Sequence, residues 1–292
     1  MPRYPFEGLG TVRTRVDLDL ADALQSILRE VDTRGVRVSP HSRLFRYVGL
    51  LRSRGTELVE EISYAHHEAD EIVTAVEQLK VAPEVSGWPP MFKNLQCGPV
   101  VPTMRHDRAR ERQTELLMGG LMRSAGAAVT FEEPDAKAVV DSNALSFAAK
   151  RTTSPTNLQK NVRDGRNQLA RAAGVGVLFL DITPLATEHG RVHVVPSIEY
   201  AAHAFDSSLD NSIRRYIVPI VRWLKAAPQR AKSLVAIVSL LNVRLLVPAV
   251  GVERNHFGTL RRLHADAVTP DNAVPCWLFD FILRFNRMGV AP

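Results

Sequence analysis

Residues 175–183 (Val-Gly-Val-Leu-Phe-Leu-Asp-Ile-Thr) form a nearly uninterrupted apolar run. A strand with one wet face alternates apolar and polar side chains. This run instead has the pattern of a strand covered on both faces, so helices must flank a sheet here. The preceding residues supply that sheet and one of its covers. A helix is expected from about 107 to 124, closed by Gly126, and three short strands at 128–132, 136–141 and 145–151. Ser142-Asn143 reads as the tight turn between the last two. A loop at Ser154-Pro155-Thr156-Asn157, with Asn157 as the N-cap, opens a further helix to about Ala173. Residues 105–183 thus read as helix, three strands, helix, strand.

Residues 17–82 read as helical throughout. The first segment places Leu20, Ala21, Leu24, Ile27, Leu28 and Val31 at helical spacing and stops at Gly35. A second helix is expected at about 40–54, and a third at about 56–80. The third carries Leu58, Ile62, Ala65, Ala69, Ile72, Val76 and Leu79 as a continuous stripe. His66, His67, Glu68 and Asp70 on it read as a solvated face. Residues 83–102, rich in Pro and Gly, read as a linker whose Trp88, Phe92 and Leu95 dock on something. The division drawn is 1–98, a helical N-terminal region with its Pro-rich linker, and 99–292, an α/β domain with a C-terminal extension. In that extension a short strand is expected at 191–195 and a helix at 207–226, kinked at Pro219. Strands at 233–240 and 243–250, joined near Asn242, follow, then an apolar tail at 277–285.

No apolar run approaches the ~18 residues that would span a bilayer. Residues 1–10 carry Arg3 and Glu7 and no apolar h-region, so no secretory signal and no membrane partner is expected. Two cysteines, Cys97 and Cys276, make neither a disulfide framework nor a metal cluster, which fits a cytoplasmic setting. The net charge is +6, carried mostly by arginine. That balance is compatible with a polyanionic partner and does not demand one.

The candidate chemistry begins at Glu133-Pro134-Asp135. Pro134 fixes its own backbone torsion and extends Glu133, which limits the freedom of both acids. Fifteen residues on, Lys150 ends an apolar strand. There Leu145, Phe147 and Ala149 face one way and Ser146, Ala148 and Lys150 the other, the second set toward a cleft. Glu115 lies on a helix stripe with Met118, Gly119 and Met122. It reads either as a metal ligand or as an ion pair with Arg112 or Arg123. The later helix has an apolar seam at Leu158, Val162, Gly165, Leu169 and Ala172, with Gln168 beside it. Lys160, Arg163, Asn167 and Arg171 occupy another face, suited to a phosphate backbone or simply to solvent. No Gly-rich phosphate loop and no nucleophile elbow occurs.

Taken together, residues 105–183 resemble the PD-(D/E)xK nuclease superfamily, the restriction-endonuclease-like fold. The resemblance rests on the element order, on Pro134-Asp135, on Lys150 closing the third strand and on Gln168. It implies a mixed sheet flanked by helices in the order α-β-β-β-α-β and a Mg²⁺- or Mn²⁺-dependent nuclease. Its substrate would be DNA before RNA, in a defence or repair setting. Catalytic roles fall to Asp135, Lys150, Glu115 and Gln168. Metal ligation falls to Asp135, Glu115 and Glu133, and nucleic-acid contact to Lys160, Arg163, Arg166 and Arg151. No organic cofactor is implied. The N-terminal helices would engage a protein partner or a second copy. One position departs from the pattern: Ala148 stands where a second acid is expected. Either Glu133, Glu132 or Asp141 takes over, or the site is inactive, or the domain binds nucleic acid without cutting it.

Overall fold

The computed structural model describes residues 12–13, 17–53, 59–80, 87–101, 107–132, 135–172, 174–187, 192–197, 200, 210–226, 234–247, 256–268, 276–278 and 280–281. Its helices are α1 (Asp17–Thr33), α2 (Arg43–Arg52), α3 (Val59–Lys80), α4 (Trp88–Leu95), α5 (Arg108–Ser124), α6 (Pro155–Leu169), α7 (Thr183–Ala186) and α8 (Val218–Lys225). The strands are β1 (Val12–Arg13), β2 (Ala128–Thr130), β3 (Ala136–Val140), β4 (Asn143–Arg151), β5 (Val175–Asp181), β6 (Val192–Val194), β7 (Leu234–Val247) and β8 (His256–Ala267). They form one mixed sheet in the order β1-β8-β7-β5-β4-β3-β2, with β6 pairing β7 off that path. The β2–β3–β4 meander is antiparallel, whereas β4, β5 and β7 run parallel. Among the described residues no helix is long and apolar enough to cross a membrane.

Over 108–181 the element order is the expected helix, three strands, helix, strand. Local chemistry shifts two details. The β3–β4 turn is made by Asp141 and Ser142, both at positive φ (47° and 66°), the conformation of a hairpin whose twist matches its strands. The N-cap of α6 is Ser154, whose Oγ accepts the Asn157 N–H at 3.3 Å, with Pro155 in the first turn. Asn157 is therefore inside the helix.

Two further expectations are corrected and a third gains detail. The stretch read as a linker contains α4, because Pro89 and Pro90 fall in a first turn, where a missing N–H costs nothing. Its Trp88, Phe92 and Leu95 are buried with the side chains of α1–α3. Asn242 joins no two strands but sits inside the 14-residue β7, its N–H donating to Thr183 Oγ1 at 2.8 Å. Before Pro219 the chain makes a π-helical turn, Ile213–Ile217, in which the Val218 N–H reaches back to Ile213 O. Proline cannot donate the next α-helical bond, so the register resets there.

The sheet has a helical layer on each face. On one, Leu117, Met118 and Met122 of α5 pack on Leu145, Phe147, Ala149, Val177, Phe179 and Val238. On the other, Leu158, Val162 and Leu169 of α6 join Ile213, Ile217, Ile220 and Leu224 over Ala148, Leu178, Leu180 and Ile237. The run at 175–183 is therefore covered on both sides, as its sequence requires. α3 crosses α5 closely: a Cβ on Gly120 would stand 2.5 Å from Ala75 Cα.

The face of α3 read as solvated is interior. His66, His67, Glu68, Asp70 and Glu71 are each 5% exposed or less. Glu68 is a hub: Arg110 Nε of α5 donates to it at 2.8 Å, Arg244 Nη2 of β7 and the Tyr47 hydroxyl of α2 at 2.9 Å each, and Arg43 lies 3.4 Å away. Burial opposes ionisation of Glu68, but Arg110, Arg43 and Arg244 outweigh it and hold its carboxyl far below the usual range. Next to it Glu71 accepts from Gln113 of α5 at 2.5 Å and from Asn242 of β7. Helices α2 and α3 thus share buried polar bonds with α5 and β7 across the division drawn at residue 98.

Candidate active site

β4 carries the central residue of the site. Its alternation sends Leu145, Phe147 and Ala149 under α5 and Ala148 under α6, and Lys150 follows Ala148 on the second face. At position 150 the strand emerges from beneath α6, and the Lys150 side chain is 19% exposed. Asn161 of α6 fixes this exit by donating to Arg151 O at 3.0 Å and Thr152 Oγ1 at 3.2 Å.

Asp135 immediately precedes β3. The register pairs Ala136 with Phe147, which brings Asp135 beside the end of β4. Its Oδ2 accepts the Ala149 N–H at 2.9 Å and Lys150 Nζ at 3.2 Å, and its Oδ1 faces Gln168 Nε2 of α6 at 3.5 Å. Its side chain is only 5% exposed.

From the other face of the sheet α5 contributes Glu115, 5% exposed and hydrogen-bonded by Arg112. Of the two readings of Glu115 left open by the sequence, the ion pair with Arg112 is present, and the charges of Asp135 and Lys150 also act on its carboxyl. Burial raises its carboxyl, the charge of Asp135 adds to that, and Arg112 and Lys150 pull the other way. The net result is pushed up to about 7. A carboxylate, an ammonium and an amide from the start of β3, the end of β4 and α6 therefore meet at one end of the sheet, and the Glu115–Arg112 pair of α5 acts on them electrostatically.

The remaining expected residues fall elsewhere. Arg151 is turned to the opposite face from Lys150, 9% exposed and paired with Asp181 at 3.4 Å, so it presents no guanidinium to a nucleic acid. Lys160 and Arg163 are exposed on α6, and Arg166, half-buried, stacks toward α8. Glu133 and Pro134 lie outside the described residues. Of the other acids considered as substitutes, Glu132 pairs with Lys137 at 3.5 Å in solvent, and Asp141 sits in the turn at the far end of β3.

Ala148 does not face a cleft. It is fully buried, and a Cβ on Gly165 would stand 3.7 Å from its own Cβ and 2.4 Å from Leu178 Cδ1. Alanine at 148 and glycine at 165 let α6 lie close on the sheet, so an acid at 148 has no room. Arg112 was legible only as a partner of Glu115. The Glu68 hub left no motif, because its four partners are scattered over 201 residues of chain, from Arg43 to Arg244.

Among the described residues no group of three or more His, Cys, Asp or Glu is arranged to hold a metal ion. The two acids that act on each other electrostatically are Asp135 and Glu115. Oxygen donors of that kind suit Mg²⁺, which takes one or two protein carboxylates and fills its other positions with water and substrate phosphate. Comparison with protein-family models, with curated proteins and with solved structures finds no match. What fold and site define directly is a mixed α/β protein with an acid–lysine centre at one end of its sheet.

Proposed function

We propose that this chain is a metal-dependent phosphodiesterase acting on nucleic acid, DNA before RNA, on a restriction-endonuclease-like core. One observation carries the reading: the Asp135 carboxylate is shared between Lys150 and Gln168 with Glu115 within reach, on an α5-β2-β3-β4-α6-β5 frame. The pair Asp135 and Glu115 would hold Mg²⁺ or Mn²⁺, which supplies positive charge against a phosphodiester. Lys150 stands beside Asp135 with its side chain 19% exposed and orients the attacking water. Gln168 fixes the second Asp135 oxygen. Lys160 and Arg163 lie on the same α6 and draw in the phosphate backbone.

A second reading follows from Ala148. The site has two converging acids among its described residues, and position 148 is filled by core packing. On that basis the chain is a nucleic-acid-binding subunit that does not cut. Incubation with supercoiled plasmid, linear DNA and RNA, with and without Mg²⁺ or Mn²⁺, separates the two. Metal-dependent nicking that disappears in Asp135→Asn and Lys150→Ala supports the enzyme. Salt-sensitive binding with no cleavage under any metal supports the subunit, and absence of both ends the nucleic-acid reading.

A further inference from the structure

We propose that the joint surface of α6 and α8 binds unpaired nucleic acid, with the indole of Trp223 as a stacking platform for a base. The proposal takes its physiological sense from the reading of the chain as a nucleic-acid enzyme, and it names the substrate class as single-stranded.

The first observation is the indole. Trp88 is 2% exposed and Trp277 is partly buried, but Trp223 is 39% exposed. The buried side of α8 and its preceding turn is complete without it, formed by Ile213, Ile217, Ile220, Val221 and Leu224. Trp223 stands off that stripe, and the Arg166 guanidinium of α6 lies 5.8 Å from its ring centroid. An indole that stays partly exposed beside cations has an apolar face available for stacking. The Arg166 cation lies over the ring from α6, and the residue as a whole stays 39% exposed.

The second observation is charge. Segments 155–169 and 210–225 hold seven cations and two acids, a net +5, against +6 for the whole chain. Lys160, Arg163, Arg214, Arg215 and Arg222 are exposed. Exposed cations on the two segments that carry Arg166 and Trp223 fit a strand that offers phosphates to the charges and free base faces to the indole. A duplex keeps its base faces stacked inside and cannot use the indole, whereas a single strand can.

The third observation is placement. Arg166 and Gln168 are two residues apart, so they lie on nearly opposite flanks of α6. Gln168 faces Asp135 on one flank, and Arg166 faces Trp223 on the other. The exposed ridge between them carries Lys160, Arg163 and Asn167. A strand crossing this ridge, ~10 Å wide, joins the acid–lysine site to the platform.

The test is fluorescence anisotropy of labelled DNA of about 12 nucleotides, offered to the full-length chain in EDTA as a single strand, as a duplex and as an abasic strand. The single strand is expected to bind tightest, and Trp223→Ala to weaken it roughly 5- to 150-fold while hardly changing duplex binding. Trp223→Phe should retain most of the affinity. The abasic strand should bind the unaltered protein about as weakly as the intact strand binds Trp223→Ala. Equal single-strand affinity of Trp223→Ala and the unaltered protein, or equal loss for strand and duplex, overturns the proposal. So does polyglutamate competing as well as the oligonucleotide. EDTA removes any cleavage, so the two readings fail separately. Trp223-dependent binding without cleavage in Mg²⁺ sinks the enzyme alone, and cleavage with Trp223-independent binding sinks the platform alone.

Discussion

The Glu68 carboxylate on α3 meets the Arg244 guanidinium on β7 at 2.9 Å, across 176 residues of chain. Both side chains are almost entirely buried, 0% and 2% exposed. The same carboxylate holds Arg110 at the start of α5, five residues before Glu115. The N-terminal helices are therefore bonded into the frame that carries the candidate site.

Removing one member of such a cluster leaves buried charges without compensation. Glu68→Gln is expected to destabilise the fold by roughly 3–5 kcal/mol, read by urea unfolding. A fragment 99–292 takes Glu68 from Arg110 and Arg244, takes Glu71 from Gln113 and Asn242, and bares the apolar surface under α3. It should be recovered unfolded or aggregated. A fragment that melts cooperatively would show that the helices are dispensable to the domain.

Glu115 predicts a pH dependence of stability. Its folded carboxyl holds a proton up to about pH 7, well above the ordinary carboxylate range. The folded state therefore binds more protons than the unfolded chain between those two values, and stability falls as pH rises through that window. Glu115→Gln should remove this slope and melt higher than the unaltered protein at pH 8. Mg²⁺ should raise the midpoint of the unaltered protein at pH 8 and leave Glu115→Gln unmoved. Parallel melting curves for both proteins from pH 5 to 8 check the slope.

Asp135 and Lys150 should separate chemistry from folding. Asp135→Asn keeps an acceptor for the Ala149 N–H, so its fold should survive by circular dichroism. Cleavage by either Asp135→Asn or Lys150→Ala should drop by at least ~10²-fold. Activity within a few-fold of the unaltered protein in both would remove the site from the chemistry.

Ala148→Glu is expected to lose stability rather than gain activity. Position 148 is sealed beneath Gly165, so the added side chain overpacks the face under α6 and buries a charge. The cost is roughly 3 kcal/mol or more by thermal or urea unfolding. A stable and faster Ala148→Glu variant would mean that α6 can lift from the sheet.

Arg151 and Arg163 should diverge. Arg163→Gln should weaken nucleic-acid binding and lower the salt slope by ~1, because one phosphate contact is lost. Arg151→Gln should leave affinity alone and lower the melting temperature, because its partner is Asp181 in the interior. A salt titration of binding for both variants decides this.

Local signals carried much of the fold. The strands at 128–151, the helices on either side of them and the doubly buried run at 175–183 all follow from periodicity and turn residues that act over a few positions. Pro89-Pro90 and Asn242 misled because the same residues that break an element in its interior are permitted in a helix's first turn or satisfied by a distant partner. The closeness of Asp135, Lys150 and Gln168 was legible because adjacent strands and the following helix fix it nearly locally. Whether His66, Glu68 and Asp70 met water or protein was not, since a polar stripe looks the same until something packs on it.

By itself, then, the order of residues determined the secondary elements from α5 to β5, the alternation of β4 and the acids and lysine available at its end. Tertiary structure alone decided which charges are buried, that the charge of Asp135 acts on Glu115, that Arg151 turns inward and that Ala148 lies sealed under α6. The physical reason is range: hydrogen-bond patterns and side-chain periodicity act over a few residues, whereas desolvation and charge pairing depend on neighbours that only the completed packing supplies.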